Sequence, residues 1–224
     1  MSESSMKRLF SVKKAHDAQL RLSKSIIFKD YLPRRVRLVA GVDVAYARET
    51  SIGAAVVLDY DSLELIESEA VGCRTRFPYI PTLLSFREIP PTVLAIRKLK
   101  THPDVFLVDG QGYAHPYGCG FASHLGLAIS RPTIGVAKSR LFGEAEESGN
   151  RDDVTFLRHE GGIVGAAVKT KKSRKPVYVS VGHMISLETA IEIAKHCARN
   201  NRVPEPILKA HETANTEKRK INNA

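Results

Sequence analysis

The residues best suited to chemistry are acids set at the ends of, or inside, apolar runs. Asp43 interrupts the run Val36-Arg37-Leu38-Val39-Ala40-Gly41-Val42-Asp43-Val44-Ala45-Tyr46, which otherwise reads as a strand. A carboxylate among apolar neighbours is costly unless it is paired, hydrogen-bonded or bound to a metal. A second apolar run, Val105-Phe106-Leu107-Val108, ends on Asp109-Gly110 and repeats the arrangement. Adjacent strands lie about 4.8 Å apart, so carboxylates on two neighbouring strands can reach one cation. Hard oxygen ligands without a Cys pair point to Mg²⁺, with Mn²⁺ as a substitute, and such a site suits phosphodiester hydrolysis. The competing reading makes Asp43 the partner of a buried Arg and Asp109 the first residue of an Asp-Gly turn.

Glu88 and His211 are further candidates. Glu88 stands two residues before Pro90, a place incompatible with the interior of a continuing helix, and as a solvated helix-end charge it would have no role. His211 is either a proton carrier or ligand near neutral pH or a histidine on a helix surface. The segment 115–124 holds His115, Cys119 and His124, but their spacing matches no closed zinc site, and its glycines suggest close backbone approach instead.

The elements that must position these groups follow from pattern. A helix is expected over residues 15–30, and Pro33-Arg34-Arg35 ends it. Three strands with short turns then form an antiparallel meander ending near Val71. The aromatic segment Phe77-Pro78-Tyr79-Ile80-Pro81 is irregular; a helical turn leads to Glu88, and Pro90-Pro91 opens a helix to about Lys100. The strand ending at Asp109, a glycine-rich loop, a helix over 121–129 and a short strand over 132–137 follow. Stretches 162–169 and 177–181 read as a hairpin, Ser186 caps a helix to about Arg199, and Pro204-Glu205-Pro206 begins a last helix carrying His211. The sum is an α/β fold: a mixed sheet of a three-strand meander plus parallel strands, flanked by helices. One domain over 1–224 is expected, with residues 1–8 and 215–224 frayed.

Composition narrows the partners. The chain has 224 residues and 43% hydrophobic content, enough for one sizeable core. No apolar run is long enough to span a membrane, and residues 1–10 lack the apolar centre of a signal peptide. Three unpaired-looking cysteines (Cys73, Cys119, Cys197) suit a reducing compartment, so a cytoplasmic location is expected. The net charge of +10 and pI near 9.6 favour a polyanion, nucleic acid first. Five basic residues in the loop 169–175, among them Lys171, Lys172 and Arg174, together with Arg34, Arg35 and Arg37, would grip phosphates without reading sequence. No segment points to a protein partner, and a monomer is expected.

Several ordered blocks carry a resemblance. They are Gly41-Val42-Asp43-Val44-Ala45-Tyr46; Pro78-Tyr79-Ile80-Pro81 with Leu84-Ser85-Phe86-Arg87-Glu88; Leu107-Val108-Asp109-Gly110-Gln111-Gly112; His115; Ala122-Ser123-His124-Leu125-Gly126; and Gly135-Val136-Ala137-Lys138-Ser139-Arg140-Leu141. In these the chain resembles the endonuclease V family, nucleases that recognise deoxyinosine, from about residue 30 to 210. The resemblance implies a ribonuclease H-like fold and metal ligation by Asp43, Glu88 and Asp109 with His211 assisting. It implies a wedge at the lesion formed by Pro78, Tyr79, Ile80 and Pro81, and a base pocket including Leu84, Gly110, Gly120, Ala137 and Leu141. Lys138 would face phosphate near the scissile bond. A small residue, often glycine, is expected after the wedge, where this chain has Thr82. Without the resemblance Tyr79 would read as a core aromatic. The activity implied is Mg²⁺-dependent hydrolysis of the second phosphodiester bond 3′ to deoxyinosine in DNA, leaving 3′-hydroxyl and 5′-phosphate. The alternatives are an inosine-specific endoribonuclease and a non-catalytic nucleic-acid binder on the same fold.

Overall fold

A computed structural model of the chain describes residues 11–145, 153–170, 175–198 and 201–223. The expected frayed segment 1–8, and Lys171, Lys172 and Arg174 of the basic loop, lie outside the described residues. Helix α1 (Val12–Ser23) is followed by the meander β1 (Leu38–Ala47), β2 (Thr50–Asp59) and β3 (Leu65–Arg74). Next come α2 (Leu84–Lys98), β4 (Val105–Asp109), α3 (Phe121–Ile129) and β5 (Thr133–Ala137). Strands β6 (Glu144–Ala145), β7 (Val154–His159), β8 (Gly162–Val168) and β9 (Val177–His183) precede α4 (Leu187–Cys197) and α5 (Glu205–Asn223).

Among the described residues, nine strands join one sheet in the order β3-β2-β1-β4-β5-β9-β8-β7-β6. The meander is antiparallel, and β4 and β5 run parallel to β1. The rest of the sheet, from β9 to β6, is antiparallel. Parallel strands need covered faces, and both are covered here. On one face Val39, Val56, Leu58, Ile134 and Val179 pack with Ile191 and Ala194 of α4 and Ile207 and Ala210 of α5. On the other, Val42, Ala55 and Val108 pack with Ala95 of α2 and Phe121 and Leu125 of α3.

Two glycines set how closely the helices sit. A Cβ at Gly41 would lie 1.9 Å from the carbonyl oxygen of Pro206, so α5 rests directly on the backbone of β1. A Cβ at Gly53 would lie 2.4 Å from the carbonyl oxygen of Pro91, which brings α2 onto β2 from the opposite face.

Three expectations need correction. Helix α2 is continuous from Leu84 through Pro90 and Pro91, so Glu88 lies inside it and not before its start. Proline weakens a helix by losing an N–H and crowding the carbonyl four residues back. Here Pro91 is buried against Gly53, and tertiary packing holds the helix across the defect. The C-terminal tail does not fray from residue 215: α5 continues to Asn223, with Ala214 buried against Ala45 and Ala54. Helix α1 is shorter than expected, because the chain leaves the helical path after Ser23.

Candidate active site

Strands β1 and β4 are parallel neighbours, with Val42 opposite Val108 in the register. The next residue on each strand is an acid, so Asp43 and Asp109 stand side by side where β4 ends. Alternation along β1 turns Asp43 to the same face as Gly41. That face is covered by α5, and the close seat of Pro206 on Gly41 brings His211, just over a turn further on, to Asp43. His211 Nδ1 lies 2.7 Å from Asp43 Oδ2. Ligand atoms of Asp43, Asp109 and His211 all fall within 4.8 Å of one another, a group able to hold a metal ion.

Glu88 reaches the acids from the α2 side. Its Oε1 accepts a hydrogen bond from the Tyr46 hydroxyl at 3.3 Å, and the Arg87 guanidinium stacks 4.2 Å over the Tyr46 ring. Glu88 is not within the tight three-residue group, yet it feels the charges of Asp43 and Asp109. Burial, then the Asp43 charge, pushes its pKa up to about 8 despite the Tyr46 bond. The Asp43 pKa is also raised, by burial and then by Asp109, against the opposing hydrogen bonds from His211 and the Val44 N–H. Crowded, partly desolvated carboxylates of this kind need positive charge. The donor set of carboxylate oxygens and one imidazole fits a hard divalent cation such as Mg²⁺.

Lys138 follows β5 and places Nζ 2.5 Å from Asp109 Oδ2, so its ammonium serves the acids directly. Two hydrogen-bonding side chains fix the backbone beside it. Arg202 donates to the carbonyls of Lys138 and Pro176 at 2.6 and 2.8 Å, and Gln111 donates to the carbonyl of Ser139 at 2.9 Å.

The remaining predicted residues are distributed around this end of the sheet. Tyr79 is 67% exposed, which removes the core-aromatic reading. Gly110 and Ala137 follow the paired residues Asp109 and Val136 on adjacent strands, beside the acids. Leu84 opens α2, Gly120 caps α3 with its N–H bonded to Gly112, and Leu141 is half exposed. A cavity of about 240 Å³ lies at the far end of β4, against Phe106, and its lining holds no carboxylate and none of these residues. Of the charges assigned to phosphate, Arg35 is ion-paired with Asp61 at 2.6 Å. In the 115–124 segment, burial raises the Cys119 thiol to about 12 and lowers His115 and His124 to about 4. His124 contacts the Ser85 hydroxyl at 3.1 Å and His115 Nδ1 accepts from the Tyr117 N–H, which ties α3 and the glycine-rich loop to their neighbours.

A family model described as Endonuclease V matches residues 20–212. The chain belongs to the endonuclease V family. A curated endonuclease V from Thermofilum pendens is 45% identical over 203 residues, covering 90% of this chain and 87% of the relative. One from Methanothrix thermoacetophila is 48% identical over 178 residues, covering 79% of each. Among solved structures, Streptomyces avermitilis endonuclease V superposes with a TM-score of 0.87 at 35% identity, covering 94% of both chains. Ciona intestinalis endonuclease V, solved with a 24mer DNA containing an inosine followed by a ribo-adenosine, gives 0.83 at 32% identity, covering 94% of this chain and 98% of that one. The fold is of the ribonuclease H-like type shared by these endonuclease V structures, as the meander-plus-parallel pattern implied, and membership marks the chain as a nuclease.

Three residues with a place in the site were missed in the sequence. Asn215 lies 3.1 Å from His211 Nε2 through its Nδ2 and also donates to the His211 carbonyl. Its spacing of one helical turn from His211 was a usable signal, hidden by the expectation of a frayed tail. Tyr46 and Arg202 carried none, since only the fold shows which carboxylate or carbonyl they meet. Among the described residues, no helix is long and apolar enough to cross a membrane.

Proposed function

We propose that the protein is a Mg²⁺-dependent DNA repair endonuclease that recognises deoxyinosine and hydrolyses the second phosphodiester bond on its 3′ side. The products are a 3′-hydroxyl and a 5′-phosphate. The observation that carries this reading is the β1–β4 pairing, which sets Asp43 beside Asp109 with His211 in reach. It is supported by membership of the family and by the inosine-containing DNA bound to the Ciona relative.

Asp43 and Asp109 would hold the cation, with Glu88 completing the set once it gives up its proton. Bound there, a divalent cation lowers the pKa of water and offsets charge on the leaving oxygen. Asp43 holds the His211 ring through Nδ1 and leaves Nε2, now turned to Asn215, as the atom that moves a proton. Lys138 exchanges its bond with Asp109 for the phosphate as charge builds there. Tyr79, exposed and flanked by Pro78 and Pro81, fills the position of the extruded base. Hypoxanthine lacks the exocyclic amino groups of guanine and adenine, so a pocket of Leu84, Gly110, Gly120, Ala137 and Leu141 selects it by shape and backbone hydrogen bonds.

The second reading keeps the chemistry and places the inosine in RNA. The ribo-adenosine after the inosine in the Ciona complexes favours it, since a 2′-hydroxyl is what separates the two substrates. Cleavage rates on matched DNA and RNA oligonucleotides decide. Faster cleavage of the DNA supports the first reading, faster cleavage of the RNA the second, and cleavage of neither contradicts both.

A further inference from the structure

The wedge ends in a turn that this chain builds against its own backbone preference. The Leu83 N–H donates to the Ile80 carbonyl at 3.0 Å, closing a four-residue turn with Pro81 second and Thr82 third. Thr82 has φ +70°, and it is the β-branched member of the positive-φ residues among the described residues. Proline followed by a left-handed residue is the pattern of a type II turn, whose third position favours glycine. Threonine at such a φ is strained and persists only where its surroundings hold it.

What holds it is α1. His16 Nε2 lies 3.0 Å from the Thr82 hydroxyl, and the His16 ring stacks at 3.9 Å on Tyr117. Gln19, fully buried, donates from Nε2 to the Thr82 carbonyl at 2.8 Å and to the Cys119 carbonyl at 2.9 Å. The strained residue is thus gripped at its hydroxyl and its carbonyl. His16 and Gln19 both precede residue 20, where the family match begins.

We propose that α1 is a clamp on the root of the wedge, with His16 and Gln19 as positioning residues that hold Thr82 left-handed and so present Tyr79 to the lesion. This rests on the reading of Tyr79 as the wedge. The two grips differ in a testable way. His16 acts on the Thr82 side chain, so its contribution exists only while that side chain is present. Gln19 acts on the backbone, so its contribution survives a change of side chain. In the Thr82→Gly variant the turn adopts the same φ without strain.

The test is a set of substitutions read by two measurements on the whole chain, with thermal unfolding as the check on folding. The first is amide hydrogen exchange at Leu83 in the DNA-free protein. The second is the dissociation constant for an inosine duplex and for the same duplex undamaged, in Ca²⁺ to prevent cleavage. Loss of one side-chain hydrogen bond is expected to raise Leu83 exchange and weaken inosine binding by ~5-fold in His16→Ala, leaving binding to undamaged DNA unchanged. Thr82→Val, which keeps the branched shape but loses the hydroxyl, behaves the same way. In the Thr82→Gly background His16→Ala has no effect, while Gln19→Ala still does. Equal effects of His16→Ala in both backgrounds, or none on Leu83 exchange with Thr82 present, overturn the clamp. Equal affinity of the unaltered chain for inosine and undamaged duplexes contradicts the proposed function instead, and the exchange measurement on DNA-free protein still decides whether α1 holds Thr82.

Discussion

Asp43 has one role that explains its cost. It is nearly buried, its pKa is raised by burial and by Asp109, and its Oδ2 holds His211. Substitution of a ligand should cost more than the ~100-fold typical of supporting residues. Asp43→Ala and Asp109→Ala are therefore expected to lose at least that factor in single-turnover nicking while binding DNA normally. Asn215→Ala, which frees the His211 ring, should lose about 10-fold to 100-fold in rate with KM unchanged. Glu88 gives a pH signature. Its folded pKa of about 8 stands above the ordinary carboxylate value, so below pH 8 the metal-free folded state holds a proton that the unfolded chain releases near pH 4.5. Stability in EDTA should then fall as pH rises from about 5 to 8, and Glu88→Gln should flatten that slope in thermal unfolding. The same proton must leave for metal to bind, so Mg²⁺ affinity should rise over that pH range. An acid in an apolar run was legible in the sequence as a site. Tyr46 and Arg202 were not, because the carboxylate or carbonyl each meets is set by the fold.

Packing of α5 on β1 is what converts a strand acid into an Asp–His pair. Gly41→Ala would force a Cβ into the Pro206 carbonyl, and overpacking of this kind costs about 1–3 kcal/mol. Gly41→Ala should lower the unfolding midpoint and, by moving His211 off Asp43, reduce nicking more than it reduces DNA binding. A variant with normal rate and a lowered midpoint would show that His211 does not need that seat. The meander, β4, α3, β5 and the Ser186 cap of α4 follow from apolar pattern and turn chemistry, and the structure agrees with each. Two of the three misread elements, α2 and α5, are decided by residues distant in sequence. Pro90 and Pro91 look like a helix start until Gly53 is seen beneath them. The polar run after Asn215 looks frayed until Ala214 and the Arg48 bond to the Asn222 carbonyl anchor it.

The net charge of +10 belongs to the protein as a whole and sets its approach to a polyanion. Binding to an inosine duplex should weaken steeply with salt, and each phosphate that is no longer neutralised removes ~0.9 from the slope of log affinity against log salt. Replacing Lys171, Lys172 and Arg174 together by Ala should lower that slope by about 3 without changing where the strand is cut. Two acid-bearing apolar runs suggest a shared site, but the adjacency of β1 and β4 is shown only by the structure; the blocks around the acids identify the family. The order of the far half of the sheet, with β6 and β7 at its edge, had no comparable signal. In the proposed reaction, metal held by Asp43 and Asp109 cuts DNA at a fixed distance from inosine. Nick mapping at nucleotide resolution on an inosine duplex tests it most directly, with the unaltered chain and Asp43→Ala, in Mg²⁺ and in EDTA. The predicted result is one nick at the second phosphodiester 3′ to inosine, seen only with the unaltered chain in Mg²⁺; the same nick in EDTA or in Asp43→Ala would contradict it.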